Sequence, residues 1–132
     1  MSLIDHLTLY VSDYARSKAF YEKALAPLGV EAIMEFGQAC GFGREKKAVF
    51  WIGKGPASFQ KSEQLAPITP VHIALAARSQ AEVDGFHAAA VAAGGTDNGA
   101  PGLRPQYHAG FYGAFVLDPD GHNIEAVFHQ AG

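Results

Sequence analysis

The sequence predicts an α+β fold made of two βαβββ modules, and three observations carry that prediction. The chain repeats itself. Each half opens with an alternating strand that runs into a capped amphipathic helix. Shorter strand segments then follow each helix.

The repeat aligns IDHLTLYVSDYARSKAFYEKALAPLG (Ile4–Gly29) with PVHIALAARSQAEVDGFHAAAVAAGG (Pro70–Gly95) without gaps. His6 falls on His72, an offset of 72 − 6 = 66 residues, and Leu9, Ala15, Phe20, Ala24, Ala26 and Gly29 also meet identical residues. The modules span about 1–53 and 70–132, with 54–69 as a linker, and together they make one domain.

In the first strand Leu7, Leu9 and Val11 share one face, while His6, Thr8 and Tyr10 share the other. Ser12 or Asp13 can cap the helix that follows, whose apolar stripe is Phe20/Ala24/Leu28 and whose end is Gly29. Strands are expected at Val30–Phe36, Ala39–Arg44 and Ala48–Ile52. Cys40, the single cysteine, reads as a small buried hydrophobe in the second of these.

The second half begins with Ile73 and Leu75 on one face and His72 and Ala74 on the other. Ser79 and Glu82 form a capping box, Val83/Phe86/Ala90 make the helical stripe, and Gly94–Gly95 end it. Strands are expected at Tyr112–Leu117 and His122–His129, with the turn Asp118-Pro119-Asp120-Gly121 between them. Gly94–Gly110 is rich in glycine and proline, with only a poorly defined strand near Thr96–Arg104. It is read as a candidate ligand-covering loop.

Composition bounds the function. Hydrophobic content of 48% and charged content of 17% describe a globular domain. The net charge of −3, without a basic cluster, argues against nucleic acid as a partner. No segment approaches the roughly 20 apolar residues of a membrane span, so no membrane partner is expected and the cytoplasm is the expected location.

Alternation in the last strand sets Asn123, Glu125 and Val127 against Ile124, Ala126 and Phe128. If the apolar set faces a helix, Glu125 joins His6 and His72 on the opposite side. A buried, unpaired carboxylate costs several kcal/mol. Two imidazoles and a carboxylate around a divalent metal remove that penalty and leave open coordination positions, as in a facial triad. The competing reading is ordinary hydrogen bonding for the histidines and a salt bridge from Glu125 to Arg104. Arg104, Tyr107, His108 and Tyr112 lie in or beside GLRPQYHAGFYG. A basic group there can orient an anionic substrate, and His108 or Tyr112 can act as acid or base; surface hydrogen bonding is the alternative. Tyr10 and Trp51 are candidates to line a cavity, or simply pack. His87, His122 and His129 are read as non-ligands.

At these residues the chain resembles the vicinal oxygen chelate superfamily, which includes glyoxalase I, extradiol dioxygenases, fosfomycin-resistance enzymes and bleomycin-binding proteins. The resemblance rests on the two repeat segments and on FYGAFVLDPDGHNIEAVFH. The opening H-L-x-L-x-V-x-D…F-Y and the closing D-P-D-G-x-x-I-E carry most of it. It implies the glyoxalase/bleomycin resistance/dioxygenase-like fold, with sheets curled around a central cavity. It further implies a homodimer and a small-molecule substrate that chelates metal through oxygen. The family's ligands fall on His6, His72 and Glu125, for a divalent ion such as Fe2+, Mn2+, Zn2+ or Ni2+. The usual fourth glyoxalase I ligand would fall on Phe50 or Trp51, neither of which binds metal, so a three-ligand site is implied. Thr8 matches a substrate-side threonine of the fosfomycin enzymes. The expected function is a metal-dependent enzyme with dioxygenase-, lyase/isomerase- or thiol-transferase-like chemistry. The alternative is a metal-free binding protein of the bleomycin-resistance type.

Overall fold

The structure, a computed structural model, describes residues 3–54 and 70–130. Its first module runs β1 (Leu7–Val11), α1 (Tyr14–Leu25), a 3-10 turn (Ala26–Leu28), β2 (Glu31–Phe36), β3 (Ala39–Arg44) and β4 (Lys47–Lys54). The second runs β5 (His72–Ala76), α2 (Gln80–Ala92), β6 (Thr96–Leu103), β7 (Phe111–Leu117) and β8 (Asn123–His129). Each module is one four-stranded sheet, ordered β1-β4-β3-β2 and β5-β8-β7-β6. In both, the first strand pairs in parallel with the last, and the other pairings are antiparallel. The result is two βαβββ modules in one α+β chain, as the repeat predicts. Of the expected linker, residues 55–69 lie outside the described residues, and Lys54 belongs to β4.

The helices start where side chains replace missing backbone partners. Asp13, in extended conformation, accepts a hydrogen bond from the Arg16 amide and caps α1; Ser79 does the same for the Glu82 amide at α2. Such a cap stabilises a helix by about 1 kcal/mol. The expected capping box is only half formed. Glu82 reaches past Ser79, accepting from the Arg78 amide at 2.8 Å and from the Arg78 guanidinium. A guanidinium four residues away adds a charge-assisted bond that the Ser79 amide cannot match.

Leu9 and Val11 from β1, Phe20, Ala24 and Leu25 from α1, Val83, Phe86 and Ala90 from α2, and Ile124 and Ala126 from β8 belong to one core. The core therefore crosses both modules, and the two helices share it. The chain ties the modules together again through the Asp118–Gly121 turn. Tyr21 of α1 donates to Asp118 at 2.6 Å, and the Ser12 amide and hydroxyl both donate to Asp120. Gly121, at φ 92°, closes this turn with its amide bonded to the Asp118 carbonyl. Arg44 adds a third tie, donating to the carbonyls of Leu28 and Ala76.

In the Gly/Pro-rich segment the poorly defined strand is real, and it leaves less of the segment as a loop than expected. Residues Thr96–Leu103 form an edge strand, β6, and only the stretch after it is a turn. Its register slips twice, between Asp97 and Gly99 and between Gly99 and Gly102, and Pro101 sits on it. An edge strand tolerates both, because its outer face needs no ladder bonds. That irregularity is why it shows no period of two. Among the described residues, no helix is long and apolar enough to cross a membrane.

Candidate functional site

Each sheet gives its apolar face to the shared core and leaves the other face open. On β8 the core takes Ile124 and Ala126, so Glu125 points away from it. In the parallel pair β5–β8, Ala74 stands opposite Glu125 and His72 opposite Asn123. His72 and Glu125 are thus one step apart diagonally on one face. Their side chains meet, His72 Nε2 lying 2.8 Å from Glu125 Oε1.

Glu125 is 3% exposed, and its second oxygen, Oε2, has no hydrogen-bond partner among the described residues. A buried carboxylate oxygen without a donor carries a desolvation penalty of a few kcal/mol, which a donor or a cation brought to it would remove. Space for it exists because residue 113 of β7 is glycine. A Cβ there would stand 3.2 Å from Oε2.

A cleft of about 350 Å³ opens onto this pair, lined by His72, Glu125, Phe115, Phe111, Tyr107, His108 and His129. Phe115 lies opposite Glu125 across the β7–β8 ladder and meets His72 edge-on at 5.9 Å. Arg104 lies over the outer ring face of Phe115 at 5.6 Å and donates to the Ala100 carbonyl. His108 and His129 stack at 5.0 Å, with His108 Nε2 and His129 Nδ1 2.8 Å apart. Of the sequence expectation, Tyr107 and His108 line the same cleft as the His72–Glu125 pair, and Arg104 stands beside it over Phe115.

Tyr112 does not. Alternation along β7 sends Phe111, Gly113 and Phe115 to the cleft and Tyr112 to the helix side, packed against the core. Its hydroxyl donates to Asp84 of α2 at 2.6 Å, a bond that raises its pKa. It stands on the wrong face to act as acid or base in the cleft.

The remaining expected residues sit on the other sheet. His6 precedes β1 and pairs with Asp5 at 2.7 Å. Thr8 lies opposite Trp51 in the β1–β4 pair, and Tyr10 follows on the same side. Trp51 stacks on Phe36 at 6.1 Å with the rings nearly parallel. Among the described residues, no three His, Cys, Asp or Glu side chains of one chain come together to hold a metal. One chain thus carries two half-faces, with His6 on one and the His72–Glu125 pair on the other.

Sequence reasoning missed Phe111, Phe115 and His129 as cleft residues. The signal was present: continuing the alternation from Glu125 reaches His129, and β7 alternates the same way. Cys40 is buried in β3 as expected, and burial pushes its thiol pKa up.

With this geometry in view, comparison with known families gives a clear result. Residues 3–126 match the Glyoxalase/Bleomycin resistance protein/Dioxygenase superfamily, and the chain belongs to it. A glyoxalase/bleomycin resistance protein from Albidiferax ferrireducens T118 is similar in structure, with a TM-score of 0.83 and 29% identity. It aligns over 97% of this chain and all of its own. A glyoxalase-related enzyme from Fulvimarina pelagi shares the fold at a TM-score of 0.70 and 22% identity, over 98% of this chain and 89% of its own. So does a lactoylglutathione lyase from Agrobacterium tumefaciens, at 0.68 and 20%, over 97% and 94%. No protein of curated function matches.

Proposed function

We propose that this protein is a small metal-dependent enzyme of the vicinal oxygen chelate type, acting on a substrate that binds metal through oxygen. The reading rests chiefly on the Glu125 carboxylate, buried with one oxygen against His72 and the other unpartnered. The pair fits a metal. Two neighbouring ligands at about 2.1 Å from an ion stand about 3 Å apart, and the 2.8 Å between Nε2 and Oε1 is close to that.

His72 and Glu125 would hold the ion, and His6 of a second copy of the chain would supply the third ligand. The internal repeat supports this, since His6 occupies the position in its module that His72 occupies in its own. The open face around His6 also needs cover. Phe36 on it is 62% exposed, and Met34 and Trp51 flank it. A bound Fe2+, Mn2+, Zn2+ or Ni2+ ion would supply Lewis-acid polarisation of substrate oxygens or, for iron, oxygen activation. The aromatic walls exclude water and hold the substrate body, Thr8 and Tyr10 of the second copy face it, and Arg104 offers a cation to an anionic group. His108 would act through His129, to which its Nε2 is bonded at 2.8 Å. Dioxygenase-, lyase/isomerase- and thiol-transferase-like reactions all suit such a site. A cytoplasmic location is part of the same proposal.

The metal-free binder is the second reading. The strongly aromatic cleft, and the lack among the described residues of a third ligand beside the pair within one chain, favour it. Metal analysis of protein purified without chelators separates the two. Near-stoichiometric metal in the wild type, lost in both H6A and H72A, is expected for the enzyme. Mixing those two variants should restore about a quarter of the sites by random re-pairing of symmetric dimers. No metal after reconstitution with each of the four ions would leave the binder.

A further inference from the structure

We propose that the His108–His129 pair is a hydrogen-bond-donor subsite, and that the cleft takes a flat aromatic ligand carrying an acceptor oxygen at that end. The argument starts from one backbone amide. The Gly110 N–H can only donate, and it points to His108 Nδ1 at 3.1 Å, so that nitrogen holds a lone pair. The proton of a neutral His108 is therefore on Nε2, and it is donated to His129 Nδ1 at 2.8 Å. His129 Nδ1 is then an acceptor, which leaves the His129 proton on Nε2. The chain Gly110–His108–His129 ends in an N–H donor of fixed tautomer that has no acceptor among the described residues.

His129 lies on the cleft face of β8, four residues beyond Glu125, so their Cα atoms are roughly 13 Å apart along the strand. The cleft between them is walled by Phe111 and Phe115, with Tyr107 packed on Phe111 at 4.8 Å. That length suits one aromatic ring with a polar group at each end. At the Glu125 end, the carboxylate–imidazole pair of Glu125 and His72 lines the cleft and suits a hydroxyl. At the His129 end, the N–H calls for a carbonyl or carboxylate oxygen. The ligand class is thus a ring with a hydroxyl at one end and an acceptor at the other. This rests on the reading of the cleft as the substrate site, but not on the metal.

The test uses full-length protein stripped of metal, with 4-hydroxyacetophenone, acetophenone and phenol as probes followed by calorimetry. 4-Hydroxyacetophenone should bind with saturation and more tightly than either simpler probe. H129F, which keeps a flat ring and removes the N–H, should weaken it about ten-fold and leave phenol within about two-fold, as loss of one hydrogen bond requires. Imidazole 15N spectra of the wild type should show His129 protonated at Nε2. Equal weakening of 4-hydroxyacetophenone and phenol, no weakening of either, absence of saturable binding, or a proton on Nδ1 of His129 would each overturn the subsite. Because the protein is metal-free, failure here is distinct from failure of the metal reading, which depends on His6, His72 and Glu125.

Discussion

The two open faces descend from the same pattern and differ at one decisive position. Thr8 and Ala74 are equivalent in the repeat, and each stands opposite a residue of the last strand of its module. Opposite Ala74 is Glu125; opposite Thr8 is Trp51. The neighbouring strand compensates in each case. Trp51 faces Gly41 across β3–β4, where a Cβ would come within 2.6 Å of the indole. Glu125 faces Phe115 across β7–β8, and the carboxylate takes its space from Gly113. One half has become an aromatic platform bearing a single imidazole. The other has become an aromatic cleft with an imidazole and a carboxylate. A duplicated scaffold keeps the backbone and spends its differences on the residue at the centre of each face.

Removing that difference has the largest expected effect. Glu125→Gln should abolish metal binding in the elemental analysis. Trp51→Phe, its counterpart, should leave metal content near the wild-type level. Equal losses in the two variants would erase the distinction between the faces.

The turns before the last strands sharpen the comparison. In the second half, the Asp118 carboxylate accepts from the amides of Asp120 and His122, the His122 ring and the Tyr21 hydroxyl. In the first half, a two-residue hairpin turn places Glu45 and Lys46 at φ 52° and 66° with no such anchor. Asp118→Ala should therefore cost about 3 kcal/mol, or about 10 °C in Tm. Burial alone would raise the Asp118 pKa, but the bonds from His122 and Tyr21 outweigh it and hold the carboxyl below its usual value. With a depressed folded pKa, its stabilisation is full above the unfolded value near ~3.9 and is lost as pH falls through the folded value. Acid titrations of Tm should accordingly show a shallower low-pH fall in the alanine variant. In the other turn, Glu45→Asn with Lys46→Gly should stabilise by about 1 kcal/mol, because both residues tolerate positive φ. The smallest effect belongs to Tyr112→Phe. Loss of its bond to Asp84 should cost about 0.5–1 kcal/mol in denaturant melts and leave ligand affinity in the cleft unchanged.

The sequence made the repeat, the helix stripes, the cap residues and the His72–Glu125 pairing face legible, because each depends on local periodicity. It misjudged Glu82, whose partner was chosen by a nearby guanidinium, and it outlined β6 only poorly, because a slipped register hides that strand's alternation. Tyr112 was taken for a cleft candidate because it lies beside the Gly/Pro-rich segment, whereas alternation along β7 gives the cleft to Phe111 and Phe115 and turns Tyr112 to the helix side. His129 was set aside for lying near a strand end.

By itself, then, the sequence determined what recurs along the chain: strand, helix, strand, and an imidazole at the same place twice. Only the tertiary structure decided which side chains share a space. Its shared core sets the two helices together and turns the open faces outward, so that His72 meets Glu125 while His6 is carried to another surface. Periodicity is a property of neighbours in the chain, whereas a site is made by distant segments whose meeting depends on how apolar faces are buried against each other.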